Sequence, residues 1–442
     1  MPDTLHSRIT SGNALVGIIG LGYVGLPLAH AMHAAGYRVL GFDIDPAKID
    51  ALAAGTNYLK HLGETLTRDL AASDRFDATT DFARLAEPDA ILVCLPTPLD
   101  EDRNPDLSFV VRAGQQIGAT LRPGQLIVLE STTYPGTTRG EFAEAIRAHA
   151  PAPLELGRDY FLAYSPERED PGRTSHSTRT TPKLVGGLDT HSTALAAALY
   201  RRAVEEVVEV ASAEVAEAAK LLENIFRAVN IALVNEMKQT LAAMDIDIWE
   251  VIDAARTKPF GFMPFYPGPG LGGHCIPIDP FYMAWKAARV GAPARFIELA
   301  GEINRAMPGR VVERTREALG VRSRPLAGAR VLVLGLAYKP DVDDVRESPA
   351  MEIITLLRAA GATVQYADPH VPSTHPMRNY DLGMTSIELT PETLAACDAT
   401  ILVTDHKAFD YPLIAQHAPL VVDTRNALRA FAADMGDRLV KA

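Results

Sequence analysis

"ALVGIIGLGYVG", residues 14 to 25, runs from an unbroken apolar stretch straight into G-x-G-x-x-G. An apolar run of that kind, closed by glycine, reads as a strand buried on both faces. Gly20 permits a tight turn, Gly22 lets backbone approach a pyrophosphate, and Gly25 lets the next helix pack closely on the strand. The helical run "LGYVGLPLAHAMHAAG" that follows offers the phosphates free N–H groups and partial positive charge. A second strand, "YRVLGFDID" (37–45), reaches Asp43 eighteen residues beyond Gly25, where a carboxylate accepts ribose hydroxyls. The same carboxylate would repel the extra phosphate of NADP, so NAD is the expected cofactor.

Strand-like and helical runs alternate onward through "DAILVCLPTP" (89–98), "QLIVLESTT" (125–133), "DYFLAYSPE" (159–167) and "KLVGG" (183–187). Such alternation predicts a doubly wound parallel sheet over 14–205, behind a polar leader, 1–13, read as disordered. From Ser212 the character is helical: "SAEVAEAAKLLENIFRAVNIALVNEMKQTLAAMDI" holds no Gly or Pro, and Ser212, Glu214 and Glu217 suit its first turns. "FYMAWKAARVG" and "ARFIELAGEINRAM", up to Pro308, complete a central helical region over 206–310. The remainder, 311–442, repeats the opening in degenerate form. "ARVLVLGLAYKP" echoes the first strand and turn, "GATVQYADPH" the second strand, and "CDATILVTDH" the stretch "PDAILVCLPT". Its turn "GLAYKP" has no glycine pair and no acid at a matching distance, so it is not expected to bind a dinucleotide. The expected fold is α/β, with two Rossmann-like doubly wound domains joined by a central helical region.

Among 442 residues, 55 are acidic and 43 basic, a formal charge of −12 that argues against nucleic acid or an anionic membrane as partner. An anionic ligand would need locally gathered basic groups, and Lys339 and Arg346 in "YKPDVDDVRESP" supply them; taken alone, that stretch reads better as a solvated charged loop. No apolar run approaches a membrane span, and the N-terminus lacks a secretory stretch. The three cysteines build neither a disulfide framework nor a metal spacing, so a cytoplasmic protein without a metal centre is expected. Cys94 and Cys397 lie in or beside apolar runs and read as inert buried thiols.

Cys275 differs, standing in "GPGLGGHCIPIDP" (268–280) among glycines and prolines. Two readings stand at this point: a glycine-rich hinge with an incidental thiol, or a nucleophile whose neighbours Gly272 and Gly273 admit a carbonyl substrate. Lys220 and Asn224, four apart and so on one helical face, could hold a developing oxyanion or be surface residues. "STT" (131–133) and "SPER" (165–168) end strands, where α/β sheets bind ligands.

GLGYVGLPLA, the PTP of "CLPTPL", ESTTYPGTT, YSPER, AEAAKLLENIFRAVNIALVNE, GPGLGGHCIPIDP and YKPDVDDVRESP together resemble the UDP-glucose/GDP-mannose dehydrogenase family, in its order and across residues 15 to about 430. The resemblance implies four-electron oxidation of a nucleotide-sugar C6 alcohol to a carboxylate, with two NAD and one water. It implies Cys275 as nucleophile, Lys220 and Asn224 as the oxyanion pair with Lys220 also a candidate base, and Asp279 as the acid holding a water and Lys220. It further implies Glu167 in thioester hydrolysis and Thr132 in ordering its water.

Tyr23, Val24, Thr97, Thr132 and Arg346 join the glycines and Asp43 on the cofactor side. Glu167, Arg168, Lys220, Asn224, Arg256, Tyr266, Gly272 and Lys339 join the substrate side, with Arg346 matching a basic position there too. Arg256 and Lys258 are expected to reach sugar or phosphates, with a subunit interface as one route, and His274 to make a positioning hydrogen bond. The stretch from Lys258 to Ala287 resembles the UDP-N-acetylhexosamine branch, and Ile278, where the glucose branch usually carries Lys, puts UDP-glucose second. The middle helices imply a homodimer or higher homo-oligomer. Two other readings are a two-electron β-hydroxyacid-type dehydrogenase, which needs neither the cysteine nor a third domain, and a nucleotide-sugar or NAD-binding regulator without turnover.

Overall fold

The computed structural model describes residues 4–59, 62–63, 65–100, 102–168, 178–273, 275–377 and 380–442. The chain forms two compact units, Met1–Glu223 with Phe281–Ala292, and Asn224–Pro280 with Pro293–Ala442.

The first unit is built on an eight-stranded sheet of β1 (Leu15–Ile19), β2 (Arg38–Phe42), β3 (Phe76–Thr79), β4 (Ala90–Val93), β5 (Gln125–Leu129), β6 (Tyr160–Tyr164), β7 (Lys183–Gly187) and β8 (Val207–Glu209). The order is β3-β2-β1-β4-β5-β6-β7-β8, parallel throughout except where β7 runs against β6. Alternate strand residues feed two cores: Val16, Ile18, Leu126 and Val128 pack on one face, Ile19, Ile91, Ile127 and Leu129 on the other. Burial on both faces is why these strands read as unbroken apolar runs.

The expected disordered leader is instead a helix, Leu5–Ser11. Thr4 caps it by accepting the Ser7 N–H at 3.2 Å, and Gly12 ends it at φ +84°. Leu5 and Ile9, four apart, supply an apolar pair that docks on the first core, and the Tyr37 hydroxyl donates to the Ile9 carbonyl at 2.9 Å. A polar average concealed that pair.

The second unit carries a five-stranded, wholly parallel sheet of β9 (Arg330–Leu334), β10 (Thr363–Ala367), β11 (Ala399–Leu402), β12 (Val421–Asp423) and β13 (Leu439–Lys441), ordered β10-β9-β11-β12-β13. Its first three strands lie as β2, β1 and β4 do, as the sequence echo requires.

No acid stands at the matching sequence distance in this copy, but Asp368, ten residues further on, directly follows β10 as Asp43 follows β2. Its Oδ2 accepts the Leu336 N–H at 2.6 Å, as Asp43 Oδ2 accepts that of Leu21 at 2.9 Å. Asp368 also accepts from Ala337, His370, Val371 and the His406 ring, so its carboxylate is committed to the fold.

The helix Ala213–Ala242 begins in the first unit and continues into the second, about 45 Å at the usual helical rise. The helix Arg295–Val321 does not stop at Pro308, so an expected domain boundary at 310 falls inside it. Pro308 is buried, and its ring lies 3.4 Å from where a Cβ of Gly270 would stand. That packing overrides the lost hydrogen bond that usually makes proline a helix terminator. Among the described residues no helix is long and apolar enough to cross a membrane.

Candidate active site

In the first unit the residues singled out from sequence gather at the carboxyl ends of parallel strands. Gly20 follows β1, Asp43 β2, Thr97 β4, Thr132 β5 and Glu167 β6. Gly20 takes φ +91°, a value that only glycine adopts without strain. A Cβ on Gly25 would stand 1.7 Å from the Gly20 carbonyl oxygen, so Gly25 serves helix-to-turn packing. A Cβ on Gly22 would meet nothing within 4 Å, and no side chain caps the helix that opens at Gly25. An open backbone cradle, an uncapped ten-residue helix and a carboxylate at the end of the second strand fit a dinucleotide. Lys48, which sequence reasoning passed over, stands 2.9 Å from Asp43 Oδ2. Tyr23 and Val24 lie within this turn.

Thr132 sits on the loop after β5, and that loop is tied down by Glu217, read from sequence only as an acid suited to the first turns of its helix. Glu217 accepts from the N–H of Gly136 at 2.6 Å, and from the N–H and hydroxyl of Thr138 at 2.9 and 2.7 Å. Burial pushes the Glu217 carboxyl up to about 7 in spite of these donors. Glu217 stands three residues before Lys220, and that spacing is the signal that could have found it. Lys220 and Asn224, 7% and 8% exposed, follow one another by a turn on the same helix. Neither is the surface residue that the sequence left open. The Arg168 guanidinium is held by the Glu223 carboxylate at 2.7 Å and the Pro182 carbonyl at 2.8 Å.

The second unit holds the cysteine. Cys275 opens a turn whose carbonyl accepts the Asp279 N–H at 2.8 Å, placing it immediately before the helix Asp279–Arg289. Helix N-termini favour an anionic sulfur. Asp279 is 2% exposed, and its Oδ2 accepts from Asn224 Nδ2 at 2.6 Å.

The glycines ahead of the thiol have a packing duty. A Cβ on Gly272 would lie 2.6 Å from that of Tyr338, and one on Gly273 would lie 2.9 Å from the Tyr338 ring. The Gly273 N–H donates to the Arg346 carbonyl at 2.9 Å, while the Arg346 guanidinium grips Asp344 at 3.0 and 2.7 Å. The thiol loop thus rests on the "YKPDVDDVRES" turn, and the Lys339 ammonium lies 5.6 Å over the Tyr338 ring. At the loop's start Gly268 N–H donates to Asn235 Oδ1, and Asn235 Nδ2 to Asn304 Oδ1.

Tyr266 stacks on Trp249 at 5.4 Å and 14°, with the exposed Arg256 3.5 Å from its hydroxyl; Lys258 covers Phe260. His274 lies outside the described residues. Asp341, His370 and His406 come within 4.8 Å of one another. Both ring nitrogens of His406 are already engaged, one accepting from the Asp341 N–H at 2.9 Å and the other donating to Asp368 at 3.0 Å. A histidine so committed has no lone pair left for a cation.

A dinucleotide cradle on the first sheet, a degenerate copy bearing basic residues, and a cysteine loop between the two in sequence mark an NAD-dependent oxidoreductase acting on a nucleotide-linked substrate. Models of the UDP-glucose/GDP-mannose dehydrogenase family match the chain in three pieces: its NAD binding domain over 14–204, central domain over 214–306 and UDP binding domain over 332–430. The chain belongs to that family, and it is an NAD-dependent UDP-sugar dehydrogenase.

It is 35% identical over 395 residues to the UDP-N-acetyl-D-glucosamine 6-dehydrogenase of Pseudomonas aeruginosa, covering 89% of this chain and 91% of that one. It is 33% identical over 410 residues to the UDP-N-acetyl-D-mannosamine dehydrogenase of Escherichia coli K12, covering 90% and 94%. The solved UDP-D-ManNAc dehydrogenase of Pyrococcus horikoshii superposes with a TM-score of 0.82 at 30% identity, over 93% of this chain and 96% of that one.

Proposed function

We propose that the protein oxidises the C6 hydroxyl of a UDP-N-acetylhexosamine, UDP-N-acetylglucosamine first among them, to the uronate in two successive hydride transfers. The similarity to relatives named for N-acetylglucosamine and N-acetylmannosamine supports the N-acetyl sugar, and UDP-glucose stands second. The observation that carries the reading is the 2.6 Å bond from Asn224 to Asp279. It ties the turn holding Cys275 to the helix that also bears Lys220.

NAD, when bound, supplies the hydride acceptor, one molecule for each oxidation. Lys220 takes the proton of the C6 alcohol as the first hydride leaves, giving an aldehyde. The Cys275 thiolate adds to that carbonyl, and the oxyanion rests on the Lys220 ammonium and the Asn224 amide. Loss of the second hydride leaves a thioester on Cys275. Water, ordered by Thr132, then adds at the acyl carbon; the carbon–sulfur bond breaks, Cys275 leaves as thiolate, and Glu167 receives the water's proton. The covalent link retains an aldehyde that would otherwise escape. Lys339 and Arg346 are the basic groups assigned to the UDP moiety, with Arg168, Arg256, Tyr266 and Gly272 about the sugar.

Five exposed apolar residues on the long helix, Val215, Leu222, Phe226, Leu233 and Met237, recur at spacings of seven and four. A stripe of that kind on one helical face suits pairing with a second helix, and it supports a homodimer. A cytoplasmic setting belongs to the same reading.

The deciding experiment measures NADH formed per UDP-sugar consumed across a panel of UDP-hexoses and UDP-N-acetylhexosamines. Two NADH per sugar, fastest with an N-acetyl sugar, is expected; one per sugar would reject the four-electron reaction.

A further inference from the structure

Glu167 does not stand alone at the end of β6. The antiparallel register sets Ala163 opposite Gly187 and Tyr164 opposite Gly186. Glu167 stands three residues beyond the end of β6, and its side chain reaches Lys183 at the start of β7. The Lys183 ammonium lies 3.5 Å from Glu167 Oε2 and 2.5 Å from Glu130 Oε2. Glu130 directly follows β5, and its other oxygen accepts the phenol of Tyr200.

Lys183 and Glu130 are buried, at 5% and 0% side-chain exposure, whereas Glu167 keeps 16%. Burial alone would lower the Lys183 ammonium, but the two carboxylates together hold it above the ordinary lysine value. Burial at the same time raises the Glu130 carboxyl, so the ammonium sits between one deeply buried acid and one that reaches the surface. Burying an ion pair gains little over packing the same space with apolar side chains, so stability is a poor explanation for the arrangement. Its open end is the carboxylate to which hydrolysis was assigned above.

We propose that Lys183, braced by Glu130 and Tyr200, is a positioning residue for Glu167 in thioester hydrolysis, an inference that rests on that assignment. Glu167 Oε1 accepts the Arg168 N–H at 2.7 Å while Oε2 faces Lys183, so both oxygens are directed and the carboxylate plane is set. Glu130 holds the ammonium more closely, at 2.5 Å against 3.5 Å, so Lys183 directs Glu167 from a longer distance than a tight ion pair. In the step served, water bonds to the acyl carbon, the carbon–sulfur bond breaks, the electron pair stays on Cys275 as thiolate, and Glu167 receives the water's proton.

The test is rapid-mixing NADH absorbance with intact mass of the chain, using the UDP-sugar that best supports NADH formation. Glu167→Gln is the reference: a burst approaching two NADH per active site, slow turnover, and an acyl adduct on Cys275. If it gives neither burst nor adduct, the assignment of Glu167 has failed, whatever Lys183 does. Given that reference, Lys183→Met is expected to keep the burst, lose tenfold or more in steady-state rate, and accumulate the same adduct. Lys183→Arg should recover part of the rate.

A merely structural lysine would lower burst and steady state together. That result, or wild-type values for both, overturns the proposal. Should Lys183→Met not fold, Glu130→Gln and Lys183→Arg decide it: a threefold or greater fall in steady-state rate with the burst intact supports the proposal, and unchanged rates in both refute it.

Discussion

Asn224, midway along the long helix, and Asp279, first residue of the helix after Cys275, meet side chain to side chain at 2.6 Å with both buried. Asn224 is thereby oriented by a carboxylate, leaving its second amide hydrogen for another acceptor. Cutting this bond should damage chemistry more than folding. Asp279→Ala strands a buried amide donor at a cost of about 1–3 kcal/mol. The NADH formation rate should drop about a hundredfold, the usual scale for losing one positioned oxyanion donor. Near-normal turnover with reduced denaturant resistance would show the bond to be structural only.

Cys275→Ala should fold as the parent does, since its backbone turn bonds survive the change. Uronate formation, followed by mass spectrometry of the sugar product, should become undetectable. Uronate produced at a fraction of the parent rate would mean that a water attacks the aldehyde without a covalent stage.

The two glycines Gly22 and Gly25 should separate folding from cofactor binding. Gly22→Ala meets nothing within 4 Å, so its thermal midpoint should match the parent. Its methyl group would nonetheless occupy the pyrophosphate cradle and weaken NAD binding, read by calorimetric titration, by tenfold or more. Gly25→Ala would place a Cβ 1.7 Å from the Gly20 carbonyl oxygen and should lose stability before any ligand is added. Equal thermal midpoints for the two variants would contradict this division of labour.

Lys238, on the long helix, has a buried ammonium nitrogen without a hydrogen-bond partner among the described residues, and burial brings it down to about 8. Between that value and an ordinary lysine's, the unfolded chain holds a proton that the folded chain has lost. Stability therefore rises with pH across this window, and the penalty is full below it. Lys238→Met should be more stable at pH 7 by about 1–2 kcal/mol, with the advantage shrinking above pH 8. Urea midpoints at pH 7 and 9.5 measure this. A variant weaker at pH 7, by a pH-independent margin, would assign Lys238 a favourable contact.

Leu222→Glu combined with Leu233→Glu puts charges into the exposed apolar stripe while touching no core residue. Light scattering should then give the mass of one 47.7 kDa chain, against twice that or more for the parent. An unchanged mass would place the interface elsewhere.

Much of this was legible in the residue order because the signals are local. Strands buried on both faces need unbroken apolar runs, Gly20 needs a left-handed φ, and a carboxylate must follow the second strand; each leaves its mark within a few positions. The cysteine loop was visible for the same reason, since a backbone lying against Tyr338 tolerates no Cβ at Gly272 or Gly273.

Three features escaped because no short window contains them. The leader became a helix through two apolar residues that gain from a core assembled elsewhere in the chain. The helix through Pro308 persists because packing outweighs a single absent N–H. The acid of the second sheet was missed because the loop between turn and acid is longer there: Asp368 lies 33 residues beyond Gly335, and Asp43 23 beyond Gly20.

The residue order by itself determined the strand alternation, the dinucleotide turn and the glycine- and proline-rich setting of Cys275. Only the tertiary structure decided that Asn224 binds Asp279 and that Lys183 faces Glu167. Those pairings arise from a helix docking 55 residues away and from an antiparallel strand turning back on its neighbour. Their energy comes from burying polar groups together, a condition that exists only once the surrounding sheet and helices have excluded water.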